Sequence, residues 1–199
     1  MSTSPTASAW QRLMEGNARF RAGEPVHPNT GLSRVRDLGE GQHPFAVIVA
    51  CSDSRVPPEV ITDQGLGDLF VIRTAGHVLD DAGLGSIDYA VTALGVPLIV
   101  VLGHTGCGAV HATMQAVAEG VTPGGALDAL VDAVRPSVER ATGAGGSPTV
   151  DDVVTEHVRA SIDLLLDRSE PVAQAKQAGS LTVAGAVYQL ADGMIRQVS

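Results

Sequence analysis

Two apolar runs constrain this chain more than anything else in it: Phe45-Ala-Val-Ile-Val-Ala50 and Pro97-Leu-Ile-Val-Val-Leu102. Neither alternates polar with apolar residues, so a strand made from either has both faces out of water. That is the condition of a parallel sheet covered by helices. Each run stops at polar residues, Cys51-Ser-Asp-Ser-Arg55 after the first and His104-Thr-Gly-Cys107 after the second. Ligand chemistry in open parallel sheets gathers at the carboxyl ends of the strands. The two segments are therefore expected to meet at one sheet edge, and they hold the only two cysteines of the chain.

The remaining periodicities fill in an α/β domain with a central, mainly parallel sheet flanked by helices. Residues 1 to 8 read as loose. Trp10, Leu13, Met14, Asn17 and Phe20 share one face of a helix from Ala9 to Arg21, an arm that packs on this subunit or on a partner. A short helix covers Gly31 to Leu38, and Pro57-Pro58-Glu59 suits the first turn of another. A second strand is expected at Leu69 to Arg73, then a helix from Leu84 to Leu94 with Ile87, Ala90, Val91 and Leu94 inward. Cys107 opens a helix to Glu119, and further helices span Ala126 to Ala141, Asp151 to Asp167 and Ser169 to Ala178. Leu181 to Tyr188 alternates and reads as a strand, with an edge strand at Met194 to Val198. Gly143 to Pro148 is a surface link and not a boundary, so residues 1–199 form a single domain: a helical arm over 1–42 and a core over 43–199.

Composition narrows the partners. A net charge of -9 argues against nucleic acid and against anionic membrane surfaces. No stretch approaches the ~18 apolar residues of a membrane span, and the start of the chain lacks signal-peptide character. The expectation is a soluble, cytoplasmic protein. Two cysteines are too few for a disulfide framework, so each needs an explanation in chemistry or in burial.

Two cysteines and a histidine at paired strand ends suit zinc, which takes thiolate and imidazole in a tetrahedron; three protein ligands leave the fourth position open. His104 and Cys107, three apart at a strand-to-helix turn, can reach one ion, and the helix start favours the Cys107 thiolate. Taken singly, each residue reads equally well as core. Asp53 and Arg55 can meet within one loop, as a plain ion pair shaping the turn or as a working pair. In the second case Asp53 is either a fourth metal ligand or is held off the metal by the Arg55 fork. Spacing excludes the Cys-x5-Arg phosphatase cradle and a Cys-x-x-Cys redox pair, and Gly103 to Gly108 lacks a phosphate-loop lysine. A zinc that only staples two strands stays open, with Asp53 as fourth ligand.

The segments Cys51-Ser-Asp-Ser-Arg-Val-Pro-Pro-Glu59, Asp63-Gln-Gly-Leu-Gly-Asp-Leu-Phe70, Arg73-Thr-Ala-Gly76, Gly85-Ser-Ile-Asp-Tyr-Ala90 and Gly103-His-Thr-Gly-Cys-Gly108 resemble the β-class carbonic anhydrases. Gly185-Ala-Val-Tyr188 and Asp192-Gly193 extend the match more weakly. The resemblance implies one zinc per chain on Cys51, His104 and Cys107, with Asp53 and Arg55 as catalytic dyad. It implies reversible hydration of carbon dioxide to bicarbonate through a zinc-bound hydroxide. It also implies a homodimer or homotetramer, with the arm over the partner. Gln42, nine residues before the first cysteine, stands where open-site members place a bicarbonate donor. Phe70, Tyr89 and Gly108 fall where the family lines its substrate pocket, partly across the dimer interface. The bicarbonate-regulated subgroup carries tryptophan where this chain has Ile48, and His77 replaces a common asparagine without an assigned role. Carbon disulfide or carbonyl sulfide would suit the same kind of site.

Overall fold

The computed structural model describes residues 5–143 and 146–199. Five strands form one sheet: β1 (Ala46–Cys51), β2 (Leu69–Thr74), β3 (Leu98–His104), β4 (Thr182–Tyr188) and β5 (Ile195–Gln197), in the order β2-β1-β3-β4-β5. The first four run parallel, and β5 is antiparallel to β4. Every residue of β1 and β3 is buried. Each large aliphatic side chain there contributes on the order of 2 kcal/mol of burial. The chain leaves β1 for β2 on one side and returns across it to β3 on the other. A crevice opens at such a reversal, outside the carboxyl ends of β1 and β3.

Eight helices flank the sheet among the described residues: α1 (Pro5–Ala22), α2 (Leu32–Asp37), α3 (Pro58–Ile61), α4 (Asp81–Thr92), α5 (Gly108–Glu119), α6 (Leu127–Gly143), α7 (Val150–Arg168) and α8 (Glu170–Gln177). The expected elements are all present, with shifted ends. α1 starts at Pro5, inside the segment expected to be loose, and residues 1–4 lie outside the described ones. α4 starts three residues before Leu84 because the Asp80 side chain accepts from the Gly83 amide and caps it. Of the link from Gly143 to Pro148, positions 144 and 145 lie outside the described residues. α1 lies on its own chain: Leu13 is buried in the core, and Asn17 bonds the Ile61 and Gly193 carbonyls. Gly16 permits this approach, since a Cβ there would overlap the Thr62 carbonyl oxygen.

β4 departs from the expected alternation, because Ala184 through Tyr188 are all buried. The cause is α7, whose Val154, Val158, Ile162 and Leu165 lie in the core. A Cβ on Gly103 would come within 2.8 Å of Val158 and 2.9 Å of Val154, and one on Gly185 within 2.7 Å of Val158. Glycine on neighbouring strands therefore lets α7 sit against the sheet with no side-chain layer between. No helix among the described residues is long and apolar enough to cross a membrane.

Candidate metal centre

The parallel register sets Ala50 of β1 beside Leu102 of β3, so Cys51 and His104 end adjacent strands at one edge. Cys107 caps α5 immediately beyond, at φ -65° and ψ 119°. All three side chains are buried, and their ligand atoms lie within 4.8 Å of one another. The two sulfurs are 4.0 Å apart and both thiols are free. Two thiolates at ~2.3 Å from a tetrahedral ion stand about 3.8 Å from each other, whereas a disulfide closes to ~2 Å. The spacing fits a metal.

Histidine chemistry agrees. His104 Nδ1 lies 3.0 Å from the Thr105 carbonyl, which can only accept, so Nδ1 carries the proton. Nε2 is left with its lone pair, buried and without a hydrogen-bond partner. A ligating imidazole fixed through its other nitrogen is the usual arrangement at metal sites. Thr105 is itself held, its amide donating to the Tyr188 carbonyl and its hydroxyl accepting from the Leu190 amide. Burial opposes the charged imidazolium, yet the Cys51 sulfur beside it raises the His104 pKa. The pocket is therefore electrically suited to a cation.

Of the two thiols Cys51 ionises first. The Cys107 thiol donates to it, and the His104 side chain and the amides of Asp53 and Gly76 also lower its pKa against burial. Sharing that contact, Cys107 is pushed up despite bonds from the Val110 and Ala109 amides at the start of α5. A cation bound here would take the place of the shared proton and let both sulfurs act as thiolates.

Asp53 and Arg55 do meet. Arg55 Nη2 and Nε donate to Asp53 Oδ2 and Oδ1 at 2.6 and 2.9 Å, and the Arg55 amide adds a third bond at 2.9 Å. These bonds hold the Asp53 carboxyl well below the usual carboxylate range. Its Oδ2 stands 3.8 Å from His104 Nε2, beside the cluster but turned to Arg55.

Sequence reasoning missed two supports. Arg73 of β2 reaches across to the carbonyls of Cys51 (2.8 Å) and Asp53 (2.6 Å), fixing the loop that carries them. The signal was a lone arginine closing an apolar strand. His157 of α7 is the other, donating to the Gly76 carbonyl at 3.1 Å. Burial holds its imidazole down to about 4, from an ordinary 6.5. Above about pH 6.5 it is neutral folded or unfolded; below that the unfolded chain takes a proton that the fold refuses. Stability is thus expected to fall by on the order of 2 kcal/mol by about pH 5 from this site alone. Urea midpoints at the two pH values check this, and His157→Gln should lose that part of the slope.

The remaining expected site residues lie elsewhere in the chain. Gly108 follows Cys107 at the exposed start of α5. Phe70 pairs with Val47, four registers before Thr74 reaches Cys51, so it is about 13 Å back along the sheet. Tyr89 is next to Phe70, with ring centroids 6.4 Å apart. Gln42 is exposed before β1, at the amino end, away from the Cys51 of its own chain.

Comparison with known proteins agrees with this geometry. Residues 46–195 match the family model for carbonic anhydrase. The chain is 50% identical over 195 residues to a carbonic anhydrase of Mycolicibacterium smegmatis, covering 98% of this chain and 94% of that protein. It is 51% identical over 191 residues to carbonic anhydrase 2 of Mycobacterium tuberculosis, covering 96% and 91%. Among solved structures it superposes on a tetrameric β-carbonic anhydrase of Sordaria macrospora with TM-score 0.75 and 25% identity, over 96% of each chain. The β-carbonic anhydrase CafA of Aspergillus fumigatus gives TM-score 0.72 at 29% identity, over 96% of this chain and 88% of that one. With its paired strand ends, its Cys51–His104–Cys107 cluster and this degree of identity, the chain belongs to the β-class carbonic anhydrases, lyases that hydrate carbon dioxide reversibly.

Proposed function

We propose that the chain hydrates carbon dioxide to bicarbonate and a proton with one zinc ion held by Cys51, His104 and Cys107. The observation that carries this is the unpartnered His104 Nε2, buried beside two sulfurs at metal-ligand spacing. When bound, zinc would polarise a coordinated water and so supply hydroxide as the nucleophile. Asp53, kept ionised by Arg55, accepts a hydrogen bond from the nucleophile and orients it. Arg55, by binding both oxygens of that carboxylate, would keep it from ligating an ion held by the three side chains. This bidentate pairing favours a catalytic ion over a four-ligand structural staple.

Residues 1–199 act as one domain with 1–42 as its arm, and the working form is a homodimer or homotetramer. Among the described residues β2 pairs only with β1, and its residues are half-buried along its length. A two-fold axis beside β2 would set the amino end of one sheet against the carboxyl end of the other. Gln42, Phe70 and Tyr89, remote from their own chain's cluster, would then line the substrate pocket of the partner, while Gly108 serves its own. The tetrameric relatives support such pairing.

Stopped-flow hydration of carbon dioxide on zinc-quantified protein tests the reading. Two thiolates cancel the charge of Zn²⁺, so the bound water is less acidified than on three neutral histidines. Turnover is expected to rise from about pH 6.5 to about pH 9. A flat profile would contradict this, and no turnover with one zinc per chain would point to a structural metal.

A further inference from the structure

We propose that His157 is a positioning residue for the metal centre, pinning Gly76 so that its amide is aimed at the Cys51 sulfur. This rests on Cys51 being a metal ligand. The Gly76 N–H donates to Cys51 Sγ at 3.3 Å. It does so from a turn that is unfavourable by itself: Gly76 has φ 66° and the next residue, His77, has φ 48°. Left-handed backbone is free for glycine but strained for histidine, and it persists only where the surroundings hold it. Thr74 Oγ1 closes the turn from within, donating to the Val78 carbonyl at 2.6 Å. From outside, the hold is His157.

Its chemistry has only one consistent assignment. The Gly76 carbonyl can only accept, so His157 Nε2 carries the proton and donates at 3.1 Å. Nδ1 therefore accepts, and the Ser137 hydroxyl of α6 donates to it at 3.0 Å. The His77 ring packs on the His157 ring, with centroids 4.5 Å apart, and neither of its nitrogens has a partner. His77 thus supplies packing, and His157 supplies the bond. The close seating of α7 on Gly103 and Gly185 makes this reach possible. At the first turn of the same helix, Asp151 accepts from the Gly106 amide at 2.8 Å, so α7 fastens the loop between His104 and Cys107 as well as the turn whose amide meets Cys51.

An amide aimed at the sulfur favours thiolate over thiol, and thus metal over proton. His157→Phe keeps the ring against His77 and deletes the donor; His157→Gln keeps a donor and loses the ring. Chelator competition on the full chain should show a zinc affinity roughly tenfold or more weaker in His157→Phe, largely restored in His157→Gln. In the cobalt-substituted protein the sulfur-to-cobalt charge-transfer band should shift in His157→Phe and return toward the parent position in His157→Gln. A packing role alone would give the opposite order. Affinity and band both unchanged in a folded His157→Phe would overturn the proposal. Should His157→Phe fail to fold, His157→Leu replaces it: the donor to the Gly76 carbonyl is again deleted, and the band should move the same way. An unmoved band there is equally fatal. A parent protein with no cobalt–sulfur band would sink the metal reading and this proposal together. A parent band that is lost in Cys107→Ser but unmoved in His157→Phe and His157→Leu would sink this proposal alone.

Discussion

Replacing Cys107 by serine is expected to empty the centre of zinc and lower carbon dioxide hydration by at least about a thousandfold. The side chain is buried at the start of α5, 4.0 Å from the other sulfur, and Asp53, the carboxylate beside the cluster, is tied to Arg55. A serine hydroxyl does not ionise near neutral pH and is a poor zinc ligand, which leaves only Cys51 and His104. Apolar burial in β1 and β3 does not depend on that ligand, so circular dichroism should show a folded chain. Zinc per chain measured alongside stopped-flow turnover decides the matter. Full zinc with parent activity would remove Cys107 from the ligand set.

Arg55→Ala is expected to reduce turnover about a hundredfold while zinc content stays near one per chain. Arg55 makes both side-chain bonds to Asp53, and only a backbone amide remains once they are gone. With Oδ2 already 3.8 Å from His104 Nε2, the freed carboxylate is a short swing from the position that a metal bound there would leave open. Occupying it would exclude water. Stability should hardly change, because the Arg55 side chain is 56% exposed. Turnover within twofold of the parent would show that the pair only shapes the loop.

These two effects involve residues that could be found from the chain alone, because their chemistry is local. Cys51, Asp53 and Arg55 lie within five residues, as do His104 and Cys107, each group following a run that could only be a buried strand. Arg73 and His157 were invisible for the converse reason. Their partners are 22 and 81 residues away and are brought together only by the sheet register and by α7. β4 misled differently, since small residues at Ala184, Gly185 and Ala186 mimic alternation while serving as a floor for a helix. Phe70, Tyr89 and Gln42 show a further limit. The resemblance puts them in the pocket, whereas the register sets Phe70, with Tyr89 beside it, well back along its own sheet, which is why we propose that a second chain brings them there.

Seating α7 on bare glycine also sets where this protein can be made sturdier. Under that helix there is no spare volume: a single methyl on Gly103 or Gly185 has to lift α7, and His157 would leave Gly76 with it. Consensus or volume-adding changes at the helix–sheet contact therefore trade hydration activity for packing. Between α7 and α6 there is room, a cleft of about 220 Å³ lined by Ala133, Ser137, His157, Ala160 and Leu164 among others. Larger apolar side chains at Ala133 or Ala160 would fill that cleft, and their size is bounded by the Ser137–His157 bond that lines it.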